Sequence, residues 1–168
     1  TLPDHIGGLY LCGGYPELHL ETLSGNAAMR RAINAAVRRG MPTIAECGGF
    51  LYLHDTLDGF PMAGVVRADA YRTEKLIRFG YVTLYAKADN LLCAAKESIR
   101  AHEFHYYEST DCGGDFIAQK PLSDRAWPCI HAKETLYAGF PHLYFDANPA
   151  FAENFVRKVM EYEIKNFA

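Results

Sequence analysis

The sequence predicts an α/β fold, a parallel sheet core flanked by helices with an antiparallel portion. Three observations predict it. Short apolar runs alternate with helix-patterned stretches through the first third of the chain. From about Pro61 the texture changes to strand-like runs separated by turn residues, which suits antiparallel pairing. A helix-patterned segment with one aromatic face then closes the chain.

Gly8-Leu9-Tyr10-Leu11 reads as the first strand, and Gly13-Gly14 as the loop after it. Glu17 to Leu23 reads as a short helical stretch. Asn26 is placed to cap a second helix through Met29, Ile33, Ala36 and Val37, ended by Gly40 at the C′ position. Arg30, Arg31, Arg38 and Arg39 fall on its other side and read as a solvated face. After Pro42 an apolar run forms a short buried strand, Gly48-Gly49 turns the chain, and Phe50 to His54 opens a helix. Pro61–Val66, Gly80–Tyr85, Ile99–Tyr107, Asp115–Ala118, His131–Tyr137 and Leu143–Phe145 read as strands. Asn148-Pro149 starts the last helix, with Phe151, Phe155, Val159 and Tyr162 at helical spacing.

The 168 residues suffice for one domain with a core of its own, spanning 1–168. Net charge is -3 and dispersed, so no basic block points to nucleic acid. No apolar span is long enough for a membrane helix, and the N-terminus has no signal-peptide pattern. Five cysteines at irregular spacing fit reduced thiols and a cytoplasmic setting better than a disulfide framework.

Cys-Gly-Gly occurs three times. Cys47 sits between an apolar strand and a helix start, with small residues two positions to either side, Ala45 and Gly49. Strand, tight turn, helix is the geometry of a nucleophile elbow, and a helix N-terminus favours the thiolate. Cys12 precedes Tyr15-Pro16-Glu17, which suits a loop; Cys112 follows a polar stretch and reads as a hairpin-tip thiol. A thiolate needs a base, which the fold must bring near. His5, His19 and His54 read as surface residues, and His131 as an unremarkable strand residue. His102 and His105 are three apart on a strand and so point to opposite faces, which argues against zinc. His142 falls between a Gly-Pro turn and a strand, a position where catalytic groups gather, though the pattern alone favours a histidine satisfied by backbone. An acyl-transferring thiolate also needs oxyanion donors. The Gly48 N–H is a natural one, and the Gly13-Gly14 loop could supply another.

Five strings occur in order: Leu11-Cys12-Gly13-Gly14-Tyr15-Pro16-Glu17-Leu18, Ala45 to Leu53 around Cys47, Phe79-Gly80-Tyr81, His102-Glu103-Phe104-His105-Tyr106, and His142-Leu143-Tyr144-Phe145. Together they resemble the glutaminase domains of the cobyrinate a,c-diamide synthase family, over nearly the whole chain. The resemblance implies a flavodoxin-like class I glutamine amidotransferase fold. It implies Cys47 as nucleophile forming a glutamyl thioester, His142 as base, and Gly14 and Gly48 as oxyanion donors. It implies glutamine as substrate, ammonia passed to an upstream synthetase domain that uses ATP and Mg²⁺, and amidation of cobyrinate carboxylates in cobalamin biosynthesis. This domain itself is expected to need no cofactor and no metal. Another amidotransferase acceptor, such as a nickel tetrapyrrole precursor, or an inactive binding domain, remains the alternative. Many class I members carry an acid two residues after the histidine; Tyr144 stands there, so Glu103 and Asp146 are the candidates for an orienting acid. The chain has no Gly-x-x-x-x-Gly-Lys-Ser/Thr loop. The family's first strand and helix are expected upstream of Thr1, and a piece lacking them is expected to self-associate unless that part was removed.

Overall fold

The computed structural model describes residues 1–167. In chain order the elements are β1 (Leu9–Leu11), α1 (Leu20–Gly25), α2 (Ala27–Arg38), β2 (Thr43–Glu46), α3 (Gly48–Leu53), β3 (His54–Leu57), β4 (Phe60–Pro61), β5 (Val66–Arg72), β6 (Arg78–Ala86), β7 (Ser98–His105), β8 (Tyr107–Ser109), β9 (Phe116–Gln119), β10 (Ala126–Cys129), β11 (His131–Ala132), β12 (Leu136–Gly139), β13 (His142–Leu143) and α4 (Ala150–Phe167).

Three sheets form. The first, in order β1-β2-β12-β11, is parallel from β1 to β12, with β11 antiparallel at its edge. The second, β10-β9-β6-β7-β13, is antiparallel throughout. The third, β4-β3-β5-β8, has β3 and β5 parallel between two antiparallel neighbours.

The central strand β2 is buried along its whole length. Because strand side chains alternate, Ala45 faces one core and Ile44 the other. The Ala45 side holds Ile33, Val37, Phe50 and Leu53 from α2 and α3. The Ile44 side holds Val82, Leu84, Phe116, Tyr137 and Phe151, from the antiparallel sheet, β12 and α4. Burying each large apolar side chain stabilises by roughly 1.5–3 kcal/mol, so both sides hold β2 in place. That is why the residue after it, Cys47, can be presented rigidly.

The Asn26 side chain caps α2 by accepting the Met29 N–H at 3.1 Å, and Gly40 follows the helix at φ +84°, as the sequence predicts. Arg31, Arg38 and Arg39 are exposed, as the sequence predicts, and Arg30 is half-buried. Arg30 donates to the carbonyls of Ser24 and Met62, and Arg38 to that of Gly64. The bond to Ser24 ties α2 back to α1, and the other two tie it to the segment entering β5.

Several strand expectations are corrected. The run 131–137 is two strands: β11 turns back on β12, whose four residues join the parallel sheet beside β2. After β13 the chain enters a single 3-10 turn at Phe145–Ala147. The short strand β3 follows α3 directly, and β10 was not anticipated. Cys112 lies between β8 and β9, where Gly113 bridges Ile130, and is not at a hairpin tip. In α4, Phe151 is fully buried and Phe155, Val159 and Tyr162 are half-buried on one face, as their spacing predicts.

Candidate active site

Cys47 sits at φ +48°, ψ -105°, in a turn that L side chains adopt only under constraint. Its N–H donates to the Gly139 carbonyl of β12 at 2.9 Å, and its carbonyl accepts the Leu51 N–H of α3. The turn is tight because β1 and its loop pack on it. A Cβ on Gly49 would stand 2.6 Å from the Leu11 carbonyl carbon, and one on Gly48 would stand 2.7 Å from the Gly14 nitrogen. Only hydrogen fits at either place. The two glycine pairs therefore meet, backbone against backbone, beside Cys47.

The thiol is not a resting thiolate, contrary to the expectation from the helix dipole. Burial pushes it up to about 11. A hydrogen bond from the Gly48 N–H opposes that shift, and the carboxylates of Glu17, Glu46 and Glu103 reinforce it. Helix α3 has six residues, too short a dipole to outweigh desolvation. The Gly48 amide directed at the sulfur is nonetheless the kind of donor an oxyanion would use.

Cys47 opens onto a cleft of about 190 Å³ lined by Gly14, Tyr15, Glu17, Arg72, His105 and Tyr106, among others. One carboxylate, Glu17, and one guanidinium, Arg72, thus line the cleft onto which the thiol opens. His105 is buried, stacked on Phe140 at 3.9 Å, and its Nδ1 is 2.7 Å from the Tyr107 carbonyl. A carbonyl only accepts, so Nδ1 carries the proton and Nε2 is a bare acceptor. Nε2 has no protein partner.

His142 stands at the start of β13, paired in register with His102 of β7. Its ring leans on Gly13, where any Cβ would overlap it. Burial and the neighbouring His102 hold its pKa below the usual histidine value, so the ring is neutral and able to accept a proton. Among the described residues no hydrogen bond joins it to Cys47. The ring lines a wider cleft with Tyr81, Arg100, His102 and Tyr144. The two residues are tied through their neighbours: the Leu143 N–H, one after His142, donates to Glu46 Oε1, one before Cys47, at 2.9 Å.

Neither acid expected to orient His142 is within 4 Å of its ring. Glu103 points into the interior from the opposite face of β7, beside Arg78, Trp127 and Cys129, and Asp146 is exposed in the 3-10 turn. Glu46 is the carboxylate that approaches, with Oε2 3.9 Å from His142 Nδ1. The sequence reading passed over Glu46. Its signal was an acid inside an otherwise apolar buried strand. His54, read as a surface residue, is fully buried, bonded to the Phe50 carbonyl and to Ser109 Oγ. It joins the end of α3 to β8. No group of three or more His, Cys, Asp or Glu among the described residues is placed to hold a metal ion.

Comparison with known proteins decides the family. The CobB/CobQ-like glutamine amidotransferase domain matches residues 1–150. The chain belongs to this family. It is 39% identical over 149 residues to a cobyrinate a,c-diamide synthase of Caldanaerobacter subterraneus, covering 84% of this chain and 33% of that protein. It is 36% identical over 164 residues to a hydrogenobyrinate a,c-diamide synthase of Thermobifida fusca, covering 95% and 34%. The chain thus spans about a third of the length of the curated relatives it matches. A glutamine amidotransferase of Thermotoga maritima shares the fold at TM-score 0.53 and 15% identity, covering 96% of this chain and 66% of that one. The elbow, the glycine loops and β13 of this amidotransferase domain all lie within the matched residues. Among the described residues no helix is long and apolar enough to cross a membrane.

Proposed function

We propose that the domain hydrolyses glutamine at Cys47 and supplies the ammonia for amidation of cobyrinate carboxylates. The observation that carries the reading is the constrained Cys47 elbow opening on a cleft flanked by Glu17 and Arg72. A free α-amino acid carries one ammonium and one carboxylate, and these two side chains are their complements. With the α-groups so held, the side-chain amide reaches back to the thiol.

In the first step the Cys47 sulfur attacks the amide carbon. The S–H bond breaks, and its proton passes to His142. The developing oxyanion lies against the Gly48 N–H, with Gly14 as second donor. Collapse expels ammonia, which takes the proton back from His142, and leaves a glutamyl thioester. Water, deprotonated by His142, then attacks the thioester; glutamate leaves and Cys47 regains its proton. A thiol held near 11 needs such a base at neutral pH. The thiol–imidazole contact closes when substrate fills the cleft, as catalytic hydrogen bonds often do.

The relatives' names point to cobyrinate as acceptor, with hydrogenobyrinate the alternative that the Thermobifida fusca protein carries in its name. Amide synthesis from a carboxylate requires activation, proposed here to use ATP and Mg²⁺ on a partner synthetase domain. This chain's residues do not fit those groups, having neither a phosphate-binding Gly-Lys loop nor a metal-capable cluster among the described residues.

The test is labelling of the intact polypeptide with the glutamine analogue 6-diazo-5-oxo-L-norleucine, read by peptide mass spectrometry. One adduct on Cys47, blocked by glutamine and absent from Cys47→Ala, is expected. Labelling of Cys12 or Cys112 instead, or no protection by glutamine, would overturn the assignment.

A further inference from the structure

We infer that Glu46 is the positioning residue for His142, held for that task by Tyr10. The inference rests on the glutaminase reading above. A histidine that takes a proton at Nε2 needs its tautomer set from Nδ1, and the usual device is a carboxylate or carbonyl on that nitrogen. Position 144 offers only an exposed tyrosine. Glu46 offers a carboxylate that is 4% exposed, with Oε2 3.9 Å from Nδ1.

Three strands converge to hold it. Leu143 of β13 donates its N–H to Oε1 at 2.9 Å, and Tyr10 of β1 donates its hydroxyl to Oε2 at 2.9 Å. Glu46 itself ends β2, so the residue that carries the nucleophile's backbone also addresses the base. Burial pulls the other way: an acid inside a strand with no apolar role is costly unless its charge is used. Tyr10 is committed to this contact, since burial and the adjacent Glu46 keep its hydroxyl protonated far above the usual range. The other groups facing the pair are His102 across β7, Cys47 along β2, Cys12 beside Tyr10, and the buried Tyr137 hydroxyl.

At 3.9 Å the contact is not yet a hydrogen bond; closing it takes a movement of less than about 1 Å. When the thiol proton arrives on Nε2, the ring becomes a cation beside a fixed anion. Nδ1 keeps its own proton throughout; burial raises the Glu46 pKa, while the Leu143 N–H and the Tyr10 hydroxyl oppose that shift and favour the carboxylate.

The test is Glu46→Gln in the intact polypeptide, with Glu46→Asp and Tyr10→Phe beside it. Glutamine at 46 can still accept the Leu143 N–H but carries no charge. Two readouts are taken: the His142 ring titration by NMR, assigned with His142→Asn, and the pH profile of glutamine hydrolysis. For Glu46→Gln the His142 pKa and the acid limb of kcat/KM move to lower pH together. Its kcat falls about a hundredfold, the lower end of what a positioned general base contributes, with KM for glutamine little changed. Glu46→Asp restores part of both, and Tyr10→Phe gives the same direction with a smaller effect. A His142 titration unmoved in both Glu46→Gln and Tyr10→Phe overturns the inference, whatever the rates. A wild-type protein that hydrolyses no glutamine overturns the glutaminase reading instead, and the titration still decides the role of Glu46.

Discussion

Cys47 concentrates the tension between stability and chemistry. A non-glycine residue at φ +48° costs on the order of 1–3 kcal/mol. Cys47→Gly should therefore stabilise the fold by about 1 kcal/mol net of the added chain entropy, while abolishing glutamine hydrolysis. Urea unfolding of the two proteins measures the first effect; a variant less stable than the wild type would mean that the turn is not strained. The sequence identified this residue because its signal is local: a strand, two glycines, a helix start. It could not see the thiol's protonation. The dipole of α3 is legible in sequence, but the burial that outweighs it is set by the tertiary fold.

At the scale of elements, the site exists because β1 and its loop lie directly on the β2–α3 turn. Gly48 and Gly49 are as much packing residues as turn residues. A methyl at 49 meets the Leu11 backbone of β1, which cannot move without breaking its pairing with β2. Gly49→Ala should cost roughly 3 kcal/mol, the upper part of the overpacking range, and should reduce Cys47 labelling in the folded fraction. Thermal unfolding checks it, and a cost below about 0.5 kcal/mol, the size of an ordinary surface change, would refute the close approach. Local patterning placed these elements well. It failed where an element is defined by its partner: β12 has the texture of an antiparallel strand, yet it completes the parallel sheet beside β2. β10 has a proline inside it and forms only because β9 is there to pair with.

At the scale of the whole molecule, the second interior cluster sets how stability responds to pH. Glu103 is 2% exposed with Oε2 unpartnered, and burial pushes it up to about 7, opposed by Arg78 and Lys120. The folded chain then holds a proton that the unfolded chain releases near 4.3. Between about pH 4.5 and 7 the native state binds more protons, so this group makes stability fall as pH rises, levelling above 7. Glu103→Gln should remove that loss, stabilising by roughly 2–3 kcal/mol at pH 8 and by little at pH 4.5. Unfolding midpoints measured at both values decide it; equal effects at the two pH values would place the Glu103 carboxyl in water.

The sequence by itself determined the α/β class, the capped helix α2, the amphipathic α4 and the elbow cysteine, because each is written in spacing over a dozen residues or fewer. Its ordered motifs also pointed to the family that the comparison of residues 1–150 shows. Only the tertiary structure decided which acid stands by His142. Glu46, Tyr10 and His142 are distant in the chain and lie on three different strands, so no local pattern relates them. They meet because β2 is pinned between two cores, and burial there turns an inconspicuous glutamate into the charge nearest the base.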